Sequence, residues 1–139
     1  MGRYRSSAVI VADTSALVAI VFDEPERAEF LALVRAASRT LVSMVSLVEA
    51  RMVVHGRKGQ SGVILLDDML GAPLFDVVAP APRETDIAYE AFVRFGRGSG
   101  HPAALNFGDV FSYALAKSRG LPLLFKGDDF SRTDVERAR

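Results

Sequence analysis

Five acidic residues in this 139-residue sequence stand where side chains can do chemistry. Asp13 directly follows an apolar run, Ala8 to Ala12. Glu49 sits among Leu47, Val48, Ala50, Met52 and Val53. Asp109 closes the segment Asn106-Phe107-Gly108-Asp109. Asp128 and Asp129 adjoin one another just after Leu123-Leu124-Phe125. Carboxylates gathered at one point repel and must be neutralised. The chain has no cysteine and two histidines, His55 and His101. Thiolate ligation and a multi-histidine centre are therefore excluded, and a hard cation held by oxygen, Mg2+ or Mn2+, is the remaining solution. Such an ion serves phosphate chemistry: it polarises a phosphoryl oxygen and activates water. A hydrolytic nuclease is the function class to which these ligand types point.

Each acid also has an ordinary structural role open to it. Asp13 can cap the helix that follows. Asp109, three positions after Asn106, can complete a capping box. Glu49 can lie on a solvated helix face, and Asp128-Asp129 can be turn residues. No position alone makes a site; the set does, if the fold brings it to one edge.

The elements that must do so are legible. The run AVIVA reads as a central strand covered on both faces. A helix follows from Ser15 to Phe22, is broken at Asp23 to Pro25, and a second helix runs on to Ala37. Thr40 to Ser43 reads as a strand. Helices are expected over 45–58, carrying Glu49, Arg51 and His55, and over 60–70, with Val63, Leu65, Leu66 and Met69 inward. Phe75 to Ala79 is a third strand, and 84–95 a helix with Ile87, Ala88, Ala91 and Phe92 inward. GRGSGHP is a loop. Asn106 opens a helix to about Arg119, punctuated by Gly120, and Leu123 to Phe125 is the last strand. Strands alternating with helices predict an α/β fold, a sandwich with a mainly parallel central sheet, in one domain spanning 1–139. Residues 1–7 read as an extension and 135–139 as a weakly ordered tail. Ligands in such sheets bind beyond the carboxyl ends of the strands, where Asp13 and Asp128-Asp129 lie.

Composition narrows the function classes. Half of the residues are hydrophobic, so a packed core is expected. Lys+Arg and Asp+Glu are both 17, so there is no general basic coat for nucleic acid. The bases are nevertheless uneven: Arg94, Arg97, Lys117, Arg119 and Lys126 face a single acid, Asp109, over that stretch. Arg51, two residues past Glu49, and Lys126, beside the acidic pair, are the candidate RNA-phosphate contacts. The apolar stretch from Ala8 to Phe22 is interrupted by Asp13, which argues against a membrane span and for a soluble, cytoplasmic protein. There is no G-x-S-x-G, no phosphate-binding P-loop and no dinucleotide fingerprint.

Four segments in order, VIVADTSALVAI, the V-E-A around Glu49, HPAALNFGD and PLLFKGDDFSRTD, together resemble the PIN-domain family, and within it the VapC-type toxins of type II toxin–antitoxin systems. The similarity runs from about Val9 to Asp134. It implies a three-layer α/β/α sandwich and a Mg2+- or Mn2+-dependent endoribonuclease that hydrolyses RNA phosphodiesters with metal-activated water. It implies an acidic site at Asp13, Glu49, Asp109 and a fourth acid, with Asp13, Asp109 and the fourth acid as metal ligands. Asp129 is preferred over Asp128 because Phe130 matches the aromatic that follows. Thr14 and Asn106 fall on supporting polar positions. It also implies a small antitoxin as partner, a homodimer, and structured RNA such as tRNA or rRNA as substrate. Two other readings share part of this pattern. A phosphoacceptor receiver domain would use a strand-end aspartate and a late lysine, but places its acidic pair after the first strand. A catalytically idle RNA- or protein-binding PIN-like module would not need the acids intact.

Overall fold

The computed structural model describes residues 8–139; the expected extension at 1–7 lies outside them. Four strands, β1 (Val9–Ala12), β2 (Arg39–Ser43), β3 (Phe75–Val78) and β4 (Leu123–Leu124), form one all-parallel sheet in the order β3-β2-β1-β4. Helices α1 (Thr14–Val21), α2 (Arg27–Ala36), α3 (Met44–Leu70), α4 (Pro82–Phe95) and α5 (Phe107–Arg119) connect them.

The pleat explains why the strands are apolar throughout. Successive side chains point to opposite faces. Ile10, Ala12, Val42 and Leu124 join one buried cluster with α1, α2 and α3. Val11, Leu41 and Leu123 join the other with α4 and α5. Both faces are covered, and the expected three-layer α/β/α arrangement is present.

The strand order also locates a binding edge. From β1 the chain moves outward through β2 to β3, then returns across the sheet to place β4 on the other flank of β1. The order reverses between β1 and β4, and the crevice at their carboxyl ends is where ligands bind in open sheets of this kind. The Asp13 N–H donates to Leu124 O at 3.0 Å, so the two strand ends that carry acids are tied together.

Several boundaries differ from expectation. The helical segments expected at 45–58 and 60–70 are two arms of α3, separated by Gly59 at φ 64° and ψ −159°. Leu65, expected inward, is exposed, as is Phe92 on α4, while Val63, Leu66, Ala88 and Ala91 are buried. Helix α4 starts at Pro82, which suits a first helical position because its missing N–H has no intrahelical partner there.

The tail differs most. It was expected to be weakly ordered past Asp134, yet the Leu123 N–H donates to Glu136 O at 2.8 Å and the Ala138 N–H to Leu123 O at 2.9 Å. Residues 136–138 thus satisfy the outer edge of β4, whose backbone groups need partners, and Ala138 is buried.

Gly59 occupies a backbone region that is essentially closed to residues with a Cβ. Gly59→Ala should therefore lower stability by about 1–3 kcal/mol. Urea unfolding checks this, and an unchanged midpoint would mean that the two arms of α3 tolerate a different junction.

Candidate active site

Asp13 begins the site because β1 ends at Ala12 and α1 starts at Thr14. Its side chain caps α1, accepting the Ser15 N–H at 2.9 Å on Oδ2. The second oxygen is occupied as well: Ser112 Oγ on α5 donates to Asp13 Oδ1 at 2.7 Å. Only 2% of Asp13 is exposed, so both donors act on a carboxylate with almost no access to water. Ser112 Oγ is 2.9 Å from Ser46 Oγ on α3, and Thr14 Oγ1 donates to Ser46 O at 3.2 Å. A line of buried hydroxyls thus joins the end of β1 to α3 and α5.

Asp109 enters on α5. The capping box is present: the Asp109 N–H donates to Asn106 Oδ1 at 2.8 Å and the Asn106 N–H to Asp109 Oδ2 at 2.9 Å. Burial pushes the Asp109 carboxyl up to about 7. The charge of Asp13 adds to this rise, the hydrogen bond from Asn106 opposes it, and Glu49 and Asp129 add further. The acid therefore feels Asp13, Glu49 and Asp129 together. Of the adjoining pair, Asp129 is the one whose charge reaches Asp109. Asp128 serves the turn, its carbonyl accepting Ser131 Oγ at 2.6 Å and the Ser131 N–H at 3.1 Å. Phe130 is buried and packs on Phe125 at 5.2 Å between ring centroids, which anchors the turn.

Glu49 projects from the first arm of α3 and is half-buried, not turned into bulk water. Burial raises its pKa, the Thr14 hydroxyl pulls it down, and Asp13 raises it. Its carboxylate lies against Gly108, at the start of α5, so closely that a Cβ there would overlap it. A larger residue there would push the Glu49 carboxylate aside. Beside this contact is a groove of about 600 Å³ lined by Met44, Val48, Glu49, Met52 and Phe107 among others. Met52 and Phe107 are 69% and 74% exposed, an unusual apolar rim for a site floored by acids.

The fold brings Asp13, Thr14, Glu49, Asn106, Asp109 and Asp129 to one edge. It does not present Arg51 and Lys126 as unpaired cations. Arg51 Nε is 3.0 Å from Asp67 Oδ1, across the break in α3, and Lys126 Nζ is 2.9 Å from Glu24 Oε1. The other bases are spread as well: Arg94 and Lys117 pair with Asp134, and Arg119 with Glu84. His101 accepts the Ala103 N–H within its own loop. Sequence reasoning did not single out Ser46 and Ser112. The available signal was spacing: Ser46 lies three residues before Glu49 on α3, and Ser112 three after Asp109 on α5, each on its acid's helical face.

Among the described residues, no three acids or histidines close into a ready cage for an ion. The donors nevertheless fit a hard dication of the magnesium type. Such an ion retains part of its water shell and needs only one or two carboxylates directly. All candidate donors are oxygens, and beyond burial the neighbouring acids push Asp109 and Glu49 up further, an electrostatic cost that a cation relieves.

Comparison with known proteins gives concordant findings. A model of the PIN domain matches residues 10–136. Ribonuclease VapC30 of Mycobacterium tuberculosis is 45% identical over 126 residues, covering 91% of this chain and 95% of that protein. Among solved structures, VapC20 of Mycobacterium tuberculosis, a sarcin-ricin-loop-cleaving toxin, superposes with a TM-score of 0.75 at 18% identity, covering 91% of this chain and 95% of that one. VapBC2 of Rickettsia felis, bound to a DNA fragment from its promoter, gives 0.71 at 14% identity, with 93% and 96% covered.

The raised Asp109 pKa carries a sign for stability without added cations. The folded state retains a proton that the unfolded chain, at the ordinary value of 3.8, releases earlier. This group's contribution is therefore full below about pH 4 and lost as pH rises toward 7. Asp109→Asn, which keeps an oxygen for the Asn106 N–H, should melt higher than the wild type at pH 8 in EDTA. The gap should close near pH 4. Thermal unfolding at the two pH values reads this out, and a lower melting point for the variant at pH 8 would contradict it.

Proposed function

This chain belongs to the PIN-domain family, among its VapC-type toxins, and on that premise we propose that it is an endoribonuclease that depends on a divalent cation, Mg2+ or Mn2+. The observation that carries the reading is the meeting of Asp13, Glu49, Asp109 and Asp129 at the switch point of the sheet. Asp13, Asp109 and Asp129 would hold the cation. When bound, it would offset their charge and that of the scissile phosphate and favour deprotonation of water. Glu49 orients the attacking water, and its raised pKa suits it to take the proton. Water oxygen then bonds to phosphorus as one P–O ester bond breaks. Asn106 fixes Asp109 through the capping box, Thr14 lies against Glu49, and Ser112 fixes Asp13.

The partners we assign are a small antitoxin protein and a second copy of the chain. The toxin–antitoxin assembly among the fold neighbours and the exposed apolar rim of Met44, Val48, Met52 and Phe107 support protein partners. The RNA substrate we assign is structured, of the tRNA or rRNA class, as supported by the sarcin-ricin-loop cleavage ascribed to VapC20. The chain as a whole is read as one PIN-like domain, acting in the cytoplasm. Among the described residues, no helix is long and apolar enough to cross a membrane. The receiver reading lacks support, since the late lysine on which it relied is engaged by Glu24.

Asp13→Asn keeps a residue able to cap α1 and removes the charge. It should reduce RNA cleavage roughly 100-fold or more and abolish growth arrest, while the protein still unfolds cooperatively. EDTA should stop the wild type and Mn2+ restore it. Full cleavage by folded Asp13→Asn would remove the assignment. Gly108→Ala, which displaces the Glu49 carboxylate, should lower kcat by at least about tenfold with the fold retained, as measured by single-turnover cleavage.

A further inference from the structure

Asp129 poses a physical problem. It is exposed, lies in a short loop after a two-residue strand, and is repelled by the acid it must face. Something has to hold this loop against the site. The backbone of Lys126 is one anchor: its N–H donates to Ser15 Oγ at 3.0 Å, on the residue whose own N–H donates to Asp13. Its side chain is the second. Lys126 Nζ donates to Glu24 Oε1 at 2.9 Å and stands 3.3 Å from Glu26 Oε1, an ion pair without hydrogen-bond geometry.

The receiving acids are themselves fixed. Arg57, stacked over the Phe22 ring at 4.9 Å, reaches Glu24 Oε2 at 3.4 Å from α3. Asp23, at φ 53°, sets the turn that presents them. Arg27 Nε donates to Ile20 O at 2.9 Å, closing the end of α1. The attraction is mutual. Lys126 holds Glu24 below its ordinary pKa, and Glu24 and Glu26 hold Lys126 above its own.

We propose that Lys126 is a positioning residue for Asp129, clamping the loop after β4 to the α1–α2 turn through Glu24 and Glu26, and is not a contact for RNA phosphate. This rests on the reading of Asp129 as a cation-holding acid. Residues that orient ligands from behind typically change metal affinity about 10- to 100-fold when replaced. A phosphate contact would instead weaken RNA binding and leave the metal untouched.

The test compares the purified full chain with Lys126→Met, Lys126→Arg and the double variant Glu24→Gln/Glu26→Gln. Three quantities are measured: hydrogen exchange over 126–130, Mn2+ affinity by calorimetry, and KM and kcat for RNA cleavage. Lys126→Met and the double variant should both speed exchange in this loop and weaken Mn2+ binding about tenfold, with KM for RNA unchanged. Lys126→Arg should restore both. The double variant is decisive because it frees the lysine without removing it. A lower KM in the double variant with a higher KM in Lys126→Met would overturn the proposal in favour of a phosphate contact. So would wild-type exchange and Mn2+ affinity in Lys126→Met. If the wild type takes up no Mn2+ while the loop loosens in both variants, the clamp stands and the cation reading falls.

Discussion

A carboxylate with almost no access to water, at the end of the central strand, governs the architecture of this site. Leaving a buried polar group without partners costs about 1–3 kcal/mol, and more when it is charged. Asp13 avoids that cost with one donor from its own helix and one from α5. The second donor has structural consequences. Ser112 can reach Asp13 only if the start of α5 lies over the end of β1, and that placement carries Asp109 in with it. Ser112 also meets Ser46, which sets α3 at a distance that seats Glu49 against Gly108. Three elements distant in sequence are located by satisfying one buried charge.

That arrangement gathers negative charge, and the molecule offsets it locally. Two helices, α1 and α5, begin at this edge, the first capped by Asp13 and the second with Asp109 in its first turn. The N–H groups there are unpaired within the helix and carry the positive end of its dipole. The capping roles open to Asp13 and Asp109 in the sequence are therefore realised together with their clustering. Helix openings are where a folded chain can keep acids close at least expense. Burial, and after it the remaining repulsion from neighbouring acids, raises the values of Asp109 and Glu49.

Much of this was legible in the residues. Continuous apolar strands implied a sheet covered on both faces, and Asn106 with Asp109 announced the box. The family resemblance pointed to Asp13, Glu49 and Asp109 and left the fourth acid between Asp128 and Asp129, with Asp129 preferred. Other features were not legible because they depend on pairs distant in sequence. Nothing local distinguishes Asp128 from Asp129; only the fold does, by bringing the charge of Asp129 within reach of Asp109. The ion pair of Lys126 with Glu24 was hidden because that acid lies about a hundred residues earlier, beside a turn set by Asp23. Leu65 and Phe92 fit an inward helical spacing, but the sheet has already been covered by their neighbours. The polar tail gave no sign of pairing, since what it recognises is backbone.

The pairing made by that tail has a further meaning. β4 is two residues long and flanks the strand that ends in Asp13. Residues 136–138 shield its open side. A molecule clipped by a protease after Asp134 would keep Asp13, Glu49, Asp109 and Asp129, yet leave the Leu123 N–H and carbonyl without these partners. Losing those hydrogen bonds and the buried Ala138 would loosen the short strand that leads to Asp129, so damage would reach the site without removing a residue of it.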